Sequence, residues 1–355
     1  MPTVHLDLAD RSYDILVDDG LLDRAGELIS GVGLSGKAAI ITDSHVAPHY
    51  AERLLAQIPN ASLHTVPAGE ASKSMLQTAE LCGEMNRAGH DRASFAIALG
   101  GGVVGDLAGF VASIFYRGIP FVQIPTTIVA QVDSSAGGKT GVNASEGKNL
   151  IGCFHQPRLV IVDPLTLKTL PGREYREGYA EAIKHAAIRD AAMVDDLAAL
   201  NPADQHPSAA LLARNLAIKA RIVEEDERET SGTRALLNFG HTIGHGIEAS
   251  LPYGTMLHGE AISLGIKAAL FLSEKINHFP AGDSQRILRL LENFQLPLTL
   301  PEGIATATIM DKLGRDKKFT GGSIKFVLLT ALGAAEVSTK VKLEDIHEAV
   351  EFLRG

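Results

Sequence analysis

Short apolar runs separated by amphipathic stretches recur along the chain as far as residue 163, and this alternation limits it to few folds. Residues 37–42, 62–66, 94–99, 121–125 and 159–162 read as strands, and stretches such as 74–88 between them carry apolar residues at helical spacing. Strand and helix in alternation imply a largely parallel, doubly wound, Rossmann-like sheet with helices on both faces, preceded by a hairpin over residues 4–17. Beyond Pro164 the texture changes. Residues 173–189, 209–225, 235–250, 260–275, 285–293 and 344–353 read as helices, and only 324–337, split at Leu332-Gly333, suggests a small hairpin. Pro164 and Pro171 cannot continue a helix or a central strand. The expected organisation is therefore an α/β domain over 1–168 and a mostly helical domain over 169–355.

A length of 355 residues suits two domains at roughly 100 to 200 residues each. With 33 Lys+Arg against 42 Asp+Glu the net charge is −9, which argues against a nucleic-acid binder, since that would need a basic footprint. Cys82 and Cys153 are too few for a disulfide framework and read as buried thiols in a reducing compartment. The amino terminus lacks a basic region, and Asp7 and Asp10 break any apolar run, so no signal peptide is expected. Residues 93–115 have membrane length, but Asp106 and Gly100-Gly101-Gly102 interrupt them. That stretch reads as strand, turn and buried helix, and the expected address is the cytoplasm.

Three groups of residues carry chemistry. Leu99-Gly100-Gly101-Gly102-Val103-Val104-Gly105-Asp106 follows an apolar strand and opens an apolar helix, the context in which G-x-G-x-x-G lets backbone approach a pyrophosphate. Asp43, Glu70, Lys73, Thr126 and Thr127 follow neighbouring strands, at the edge where open α/β sheets bind ligands. In the helical half, His241 and His245 stand four apart on one helix face, with His258 and Glu181 in separate segments. Two imidazoles and one carboxylate would leave a coordination position open for a catalytic metal. Spacing does not choose among His241, His245 and His258, or among Glu181, Glu248 and Glu260. The third group is cationic: Arg117, Lys139, Lys148, Lys184, Lys219, Arg234 and Lys317-Lys318, several beside Gly-rich turns such as Ala136-Gly137-Gly138-Lys139-Thr140-Gly141. In an acidic protein these suit a multiply anionic small molecule.

Laid in order, LGGGVVGDLAG (99–109), YRG (116–118), PTTIVAQVDSSAGGKTGVN (125–143), GKNLIG (147–152), AEAIK (180–184), RALLNFGHTIGH (234–245), HGEA (258–261) and DKK (316–318) closely resemble the 3-dehydroquinate synthase family of sugar phosphate cyclases. The resemblance implies an amino-terminal NAD-binding domain and a carboxyl-terminal metal- and substrate-binding domain. It implies zinc, with cobalt as a substitute, held by Glu181, His241 and His258. It implies NAD contacts at Asp43, Glu70, Lys73, Gly102, Val103, Val104, Gly105, Asp106, Thr126, Thr127, Lys139, Lys148, Thr166, Leu167, Lys168 and Thr169. For substrate it implies Arg117, Asp133, Lys139, Asn149, Lys184, Lys219, Arg234, Asn238, His245 and Lys317, with Arg117 reaching the neighbouring subunit of a homodimer. The activity implied converts 3-deoxy-D-arabino-heptulosonate 7-phosphate to 3-dehydroquinate and phosphate, by transient oxidation, phosphate elimination, re-reduction and aldol closure. A cyclase acting on a neutral sugar phosphate is the alternative. The chain departs from the family pattern at His185-Ala186, at Gly246 where Ala is common, and at Glu177 where Ser is common.

Overall fold

The computed structural model describes residues 1–252, 254–314 and 325–355. Contacts gather into two compact units, Met1–Leu170 with Gln205–Glu224, and Pro171–Asp204 with Glu225–Gly355. The helix Ala209–Glu225 therefore belongs, up to residue 224, with the α/β unit and not with the helical half in which a single boundary would put it. Spacing reveals that a stretch is helical; it does not reveal which core receives the apolar face.

The first unit contains β1 (Thr3–Leu6), β2 (Tyr13–Val17), β3 (Ala38–Asp43), β4 (Ser62–Val66), β5 (Phe95–Gly100), β6 (Phe121–Pro125), β7 (Lys139–Ala144), β8 (Gly147–Phe154) and β9 (Leu159–Val162). Seven of these form one sheet in the order β1-β2-β9-β6-β5-β3-β4. Only the β1–β2 pairing in it is antiparallel. Strands β5, β6 and β9 are buried along their whole length, as a parallel sheet covered on both faces requires. Alternate residues of β3 serve opposite cores. Ala39 and Ile41 pack in one cluster with Leu81, Met85, Leu107 and Val111, whereas Ala38 and Ile40 pack in another with Leu22, Ile29, Tyr50 and Leu54. From β3 the chain runs to β4 at the sheet edge, then returns to pair β5 on the other side of β3. That reversal opens a crevice at the carboxyl ends of β3 and β5, the place where open α/β sheets hold ligands.

A separate antiparallel hairpin, β7 with β8, occupies the region read from sequence only as Gly-rich turns. Strand β8 is exposed nearly throughout, so it shows no buried alternating face by which a sequence pattern reveals a strand.

The second unit is mainly helical, with Tyr179–Arg189, His241–Glu248, His258–Asn277 and Thr306–Gly314 among its helices and one hairpin of β10 (Phe326–Ala331) and β11 (Ala334–Ser338). The stretch 235–250, expected as one helix, is two elements: a 3-10 turn Thr233–Asn238 and the helix His241–Glu248. Gly240 separates them at φ +79, a conformation that a side chain would strain. A Cβ placed on Gly265 would lie 1.9 Å from the Gly240 carbonyl oxygen and 2.8 Å from the Gly244 nitrogen, so bare backbone sets how closely His258–Asn277 approaches His241–Glu248. Gly246 acts likewise, since a Cβ there would meet Leu313 Cδ2 at 2.9 Å. The absence of alanine at 246 thus has a packing reason. Gly265→Ala should destabilise the protein by about 1–3 kcal/mol through overpacking. Its thermal midpoint should fall by several degrees in a calorimetric scan, and an unchanged midpoint would contradict this account of the helix pair.

Candidate active site

Glu181 lies on the helix Tyr179–Arg189, and His241 and His258 open two different helices of the same unit. Glu181 Oε1 stands 3.3 Å from His241 Nε2 and 3.3 Å from His258 Nε2. Each ring is oriented through its other nitrogen: His241 Nδ1 lies 3.1 Å from the Phe239 carbonyl oxygen, and His258 Nδ1 lies 3.2 Å from Glu248 Oε2. Lys184, one turn beyond Glu181, donates to Glu181 Oε2. Glu181 is 1% exposed, and its Oε1 accepts no hydrogen bond. A buried carboxylate oxygen left without a donor, facing two imidazole nitrogens, fits the donor set of a divalent ion of the zinc type.

The three imidazoles of His241, His245 and His258 form a triangle with ring centroids 5.2, 5.6 and 5.7 Å apart, and their ligating atoms lie within 4.8 Å of one another. The competition among them that spacing left open is therefore real in space. The unsatisfied Oε1 favours Glu181 as the third donor beside His241 and His258, and His245 is exposed. The other two candidate carboxylates are otherwise engaged. Glu248 orients His258, while Glu260 takes a bidentate bond from Arg173 at 2.7 and 2.7 Å and the Leu257 N–H at 2.9 Å.

Charge is tightly coupled here. Burial would raise the Glu181 carboxyl pKa, but the Lys184 ammonium and then His241 outweigh it and hold the group well below its usual range. Burial would lower His258, yet the Glu181 and Glu248 carboxylates beside its two ring nitrogens push it up to about 10. Burial raises Glu177 to about 7 despite His258 nearby and a 2.6 Å bond from the Gly259 N–H. Glu177, noted in the sequence only as a departure, thus caps the helix that carries His258. Its role and that of Glu248 had no sequence signal beyond the presence of a carboxylate.

In the α/β unit, the expected cofactor residues gather at the carboxyl ends of the strands. Asp43 ends β3, and its Oδ1 accepts from the His45 and Val46 N–H groups. The Gly-rich turn follows β5 and leads into the helix Gly102–Ile114, whose first turn offers backbone N–H groups. Lys73, buried beyond β4, donates to Asp106 Oδ2 and Asn149 Oδ1 and lies 4.0 Å from Glu70 Oε1. Asn143, not singled out by sequence, closes this network by donating to Glu70 Oε1 at 2.9 Å and accepting the Asn149 N–H at 2.9 Å. Thr127 Oγ1 accepts from Ala130 N–H at 3.2 Å, starting the π-helical turn Ala130–Ser134 that carries Asp133. Thr126 is buried after β6, and Thr166, Leu167, Lys168 and Thr169 form a 3-10 turn after β9.

Of the expected substrate residues, Asp133 and Lys219 come together, with Lys219 Nζ 2.8 Å from Asp133 Oδ1 and 2.6 Å from its carbonyl oxygen. Lys139 and Asn149 lie exposed on the β7–β8 hairpin, as does Lys148, expected as a cofactor residue. Arg117 is exposed in the left-handed region at φ +71, beside Tyr116 at φ +49, a pair of uncommon conformations of the sort that cluster at functional sites. Arg234 and Asn238 share the 3-10 turn Thr233–Asn238. Lys317 and Lys318 lie outside the described residues.

Residues 63–177 match the family model described as 3-dehydroquinate synthase N-terminal, and residues 178–319 match 3-dehydroquinate synthase C-terminal. The chain belongs to the 3-dehydroquinate synthase family. A curated 3-dehydroquinate synthase from Desulforamulus reducens is 44% identical over 354 residues, spanning 98% of each chain. Two solved cyclases share the fold at lower identity. A 2-deoxy-scyllo-inosose synthase, crystallised with carbaglucose-6-phosphate, NAD+ and Co2+, is 25% identical with a TM-score of 0.87, covering 98% of this chain and 99% of that one. The 2-epi-5-epi-valiolone synthase of Streptomyces hygroscopicus, with NAD+ and Zn2+ bound, is 28% identical with a TM-score of 0.87, covering 98% of each. The 3-dehydroquinate synthase family thus accounts for the motifs in both units. If Glu248 orients a metal-binding His258, Glu248→Gln should weaken divalent-metal retention by about 10- to 100-fold. Competition against a chromogenic chelator measures this, and retention equal to the parent would reject the role.

Proposed function

We propose that this chain converts 3-deoxy-D-arabino-heptulosonate 7-phosphate to 3-dehydroquinate and phosphate, the second step of the shikimate route to aromatic amino acids. The observation that carries this reading is 44% identity over nearly the full length to curated 3-dehydroquinate synthases, against 25% and 28% to cyclases of other products. Cofactor and metal follow the same reading: NAD+ at the carboxyl edge of the sheet, and zinc at Glu181, His241 and His258, where the unsatisfied Glu181 oxygen supports it. When bound, NAD+ supplies a hydride acceptor regenerated within each turnover, and zinc supplies Lewis acidity toward the substrate alcohol.

The chain's own residues do the remaining work. Lys139, Lys219 and Arg234 hold the carboxylate that distinguishes this substrate from a neutral sugar phosphate, and Asp133 keeps Lys219 in place as an ammonium. Arg117, Asn149, Asn238, His245 and Lys317 neutralise and orient the phosphate as it leaves. Lys184 keeps Glu181 ionised through its bond to Oε2. In the α/β unit, Glu70, Lys73, Asp106 and Asn143 form a polar frame beside the nucleotide.

We also propose a homodimer. Leu150, Ile151 and Phe154 on β8, with Ile114 and Tyr116, are exposed large apolar residues, and patches of such residues on folded proteins mark interaction surfaces. Arg117 follows Tyr116 directly, so an interface there would carry it toward a partner's substrate. No helix among the described residues is long and apolar enough to cross a membrane. Cys82 is half-buried and Cys153 exposed, not the buried pair expected from sequence, and free thiols of this kind suit a reducing cytoplasm.

His258→Ala should abolish zinc retention and turnover together, and a variant still active with bound zinc would sink the ligand assignment. Sedimentation should give twice the chain mass for the parent and a shift toward monomer for Leu150→Asp/Phe154→Asp. A parent that sediments as a monomer would reject the dimer.

A further inference from the structure

The loop between residues 226 and 234 wraps around a single carboxylate. Asp226 Oδ1 accepts the N–H groups of Thr230 at 2.7 Å and Ser231 at 3.1 Å, and its Oδ2 accepts those of Gly232 at 2.9 Å and Arg234 at 3.1 Å. Four amides of one short segment thus converge on one side chain that is 4% exposed. Such a ring of backbone N–H groups is an anion-binding nest, here filled from within the chain. Two residues of the loop sit in the left-handed region, Glu229 at φ +59 and Gly232 at φ +93. Such backbone persists only where its surroundings over-determine it, and the four bonds to Asp226 do so here. Burial would raise the Asp226 carboxyl, but the N–H groups of Ser231, Arg234 and Thr230 outweigh it and hold it below the usual range.

The loop ends at Arg234, a buried cation whose backbone and guanidinium are both held by it. The backbone N–H bonds Asp226, the guanidinium donates to the Glu227 carbonyl oxygen, and Nε lies 4.0 Å from Glu229 Oε1. A long side chain buried this way has little freedom of its own, so its aim follows from where the loop places its Cα and the Glu227 carbonyl.

We infer that Asp226 is a positioning residue for substrate-acid recognition, acting through Arg234. It touches no reacting atom; it fixes the loop from which the guanidinium projects. This rests on the reading of Arg234 as a carboxylate-binding residue.

The experiment is a double-mutant cycle on the zinc- and NAD-loaded enzyme with 3-deoxy-D-arabino-heptulosonate 7-phosphate as the substrate. Asp226→Ala should raise KM about tenfold, the equivalent of one lost charge-assisted hydrogen bond, with a much smaller change in kcat. Zinc content and NAD affinity should match the parent. The Asp226→Ala/Arg234→Ala double variant should have the KM of Arg234→Ala alone, because a residue that acts only through Arg234 has nothing further to lose. Asp226→Asn, which keeps the volume and removes one acceptor oxygen, should fall between parent and Ala and serves if the Ala variant does not fold. Independent, multiplying effects in the double variant, or zinc lost together with the rise in KM, would overturn the inference and leave Asp226 as general scaffolding. An unchanged KM in Arg234→Ala overturns the reading of Arg234 itself, and the inference falls with it.

Discussion

The second unit depends on one buried carboxylate. Glu181 sits almost fully out of water, where an ionised group is costly unless matched by cations or a metal. One oxygen is matched by Lys184, and the other faces two imidazoles brought from the starts of two other helices. Much of the local architecture serves to hold those imidazoles. Gly240 and Gly265 allow the helices to meet backbone to backbone, Glu248 and the Phe239 carbonyl orient the rings, and Glu177 with Glu260 secures the start of the helix that carries His258. Were the ion pair with Lys184 the only compensation, Oε1 would remain a buried acceptor without a donor, which folded proteins rarely tolerate.

The first unit solves a different problem. A parallel sheet buries its strands, so polar function is confined to the ends, and the reversal between β4 and β5 concentrates it at one edge. Lys73 is the centre of that edge: a buried ammonium bonded to the Gly-rich helix through Asp106 and to the β7–β8 hairpin through Asn149. Burial raises the Asp106 carboxyl pKa, and Lys73 works against this. Glu70 and Asn143 complete a frame in which every charged group has a partner of opposite sign or a hydrogen bond.

Much of this was legible in the residues. Strands β3, β5 and β9 announced themselves as apolar runs, and the glycine run after β5 announced both a tight turn and a helix start. The set Glu181, His241, His245 and His258 was visible as chemistry, but spacing left the ligands undecided because His241 and His245 share a face and His258 arrives from another helix. Only the folded geometry exposes the unsatisfied Oε1 that favours Glu181. The hairpin β7–β8 escaped notice because β8 is exposed nearly throughout and shows no buried alternating face. The side taken by the helix Ala209–Glu225 escaped because an amphipathic face does not name its partner. The positioning roles of Glu248, Asn143 and Asp226 escaped for a common reason: a residue that positions another through a hydrogen bond has no sequence signature, only a place.

The most direct test is phosphate release from 3-deoxy-D-arabino-heptulosonate 7-phosphate by purified protein, after chelation and with NAD+ and zinc restored singly and together, while the absorbance of NADH is followed. Release is expected only when both are restored, with no net accumulation of NADH, because the hydride taken up is returned within the same turnover. Failure to release phosphate from this acid, together with release from a neutral heptulose phosphate, would contradict it and move the chain to another branch of the cyclases.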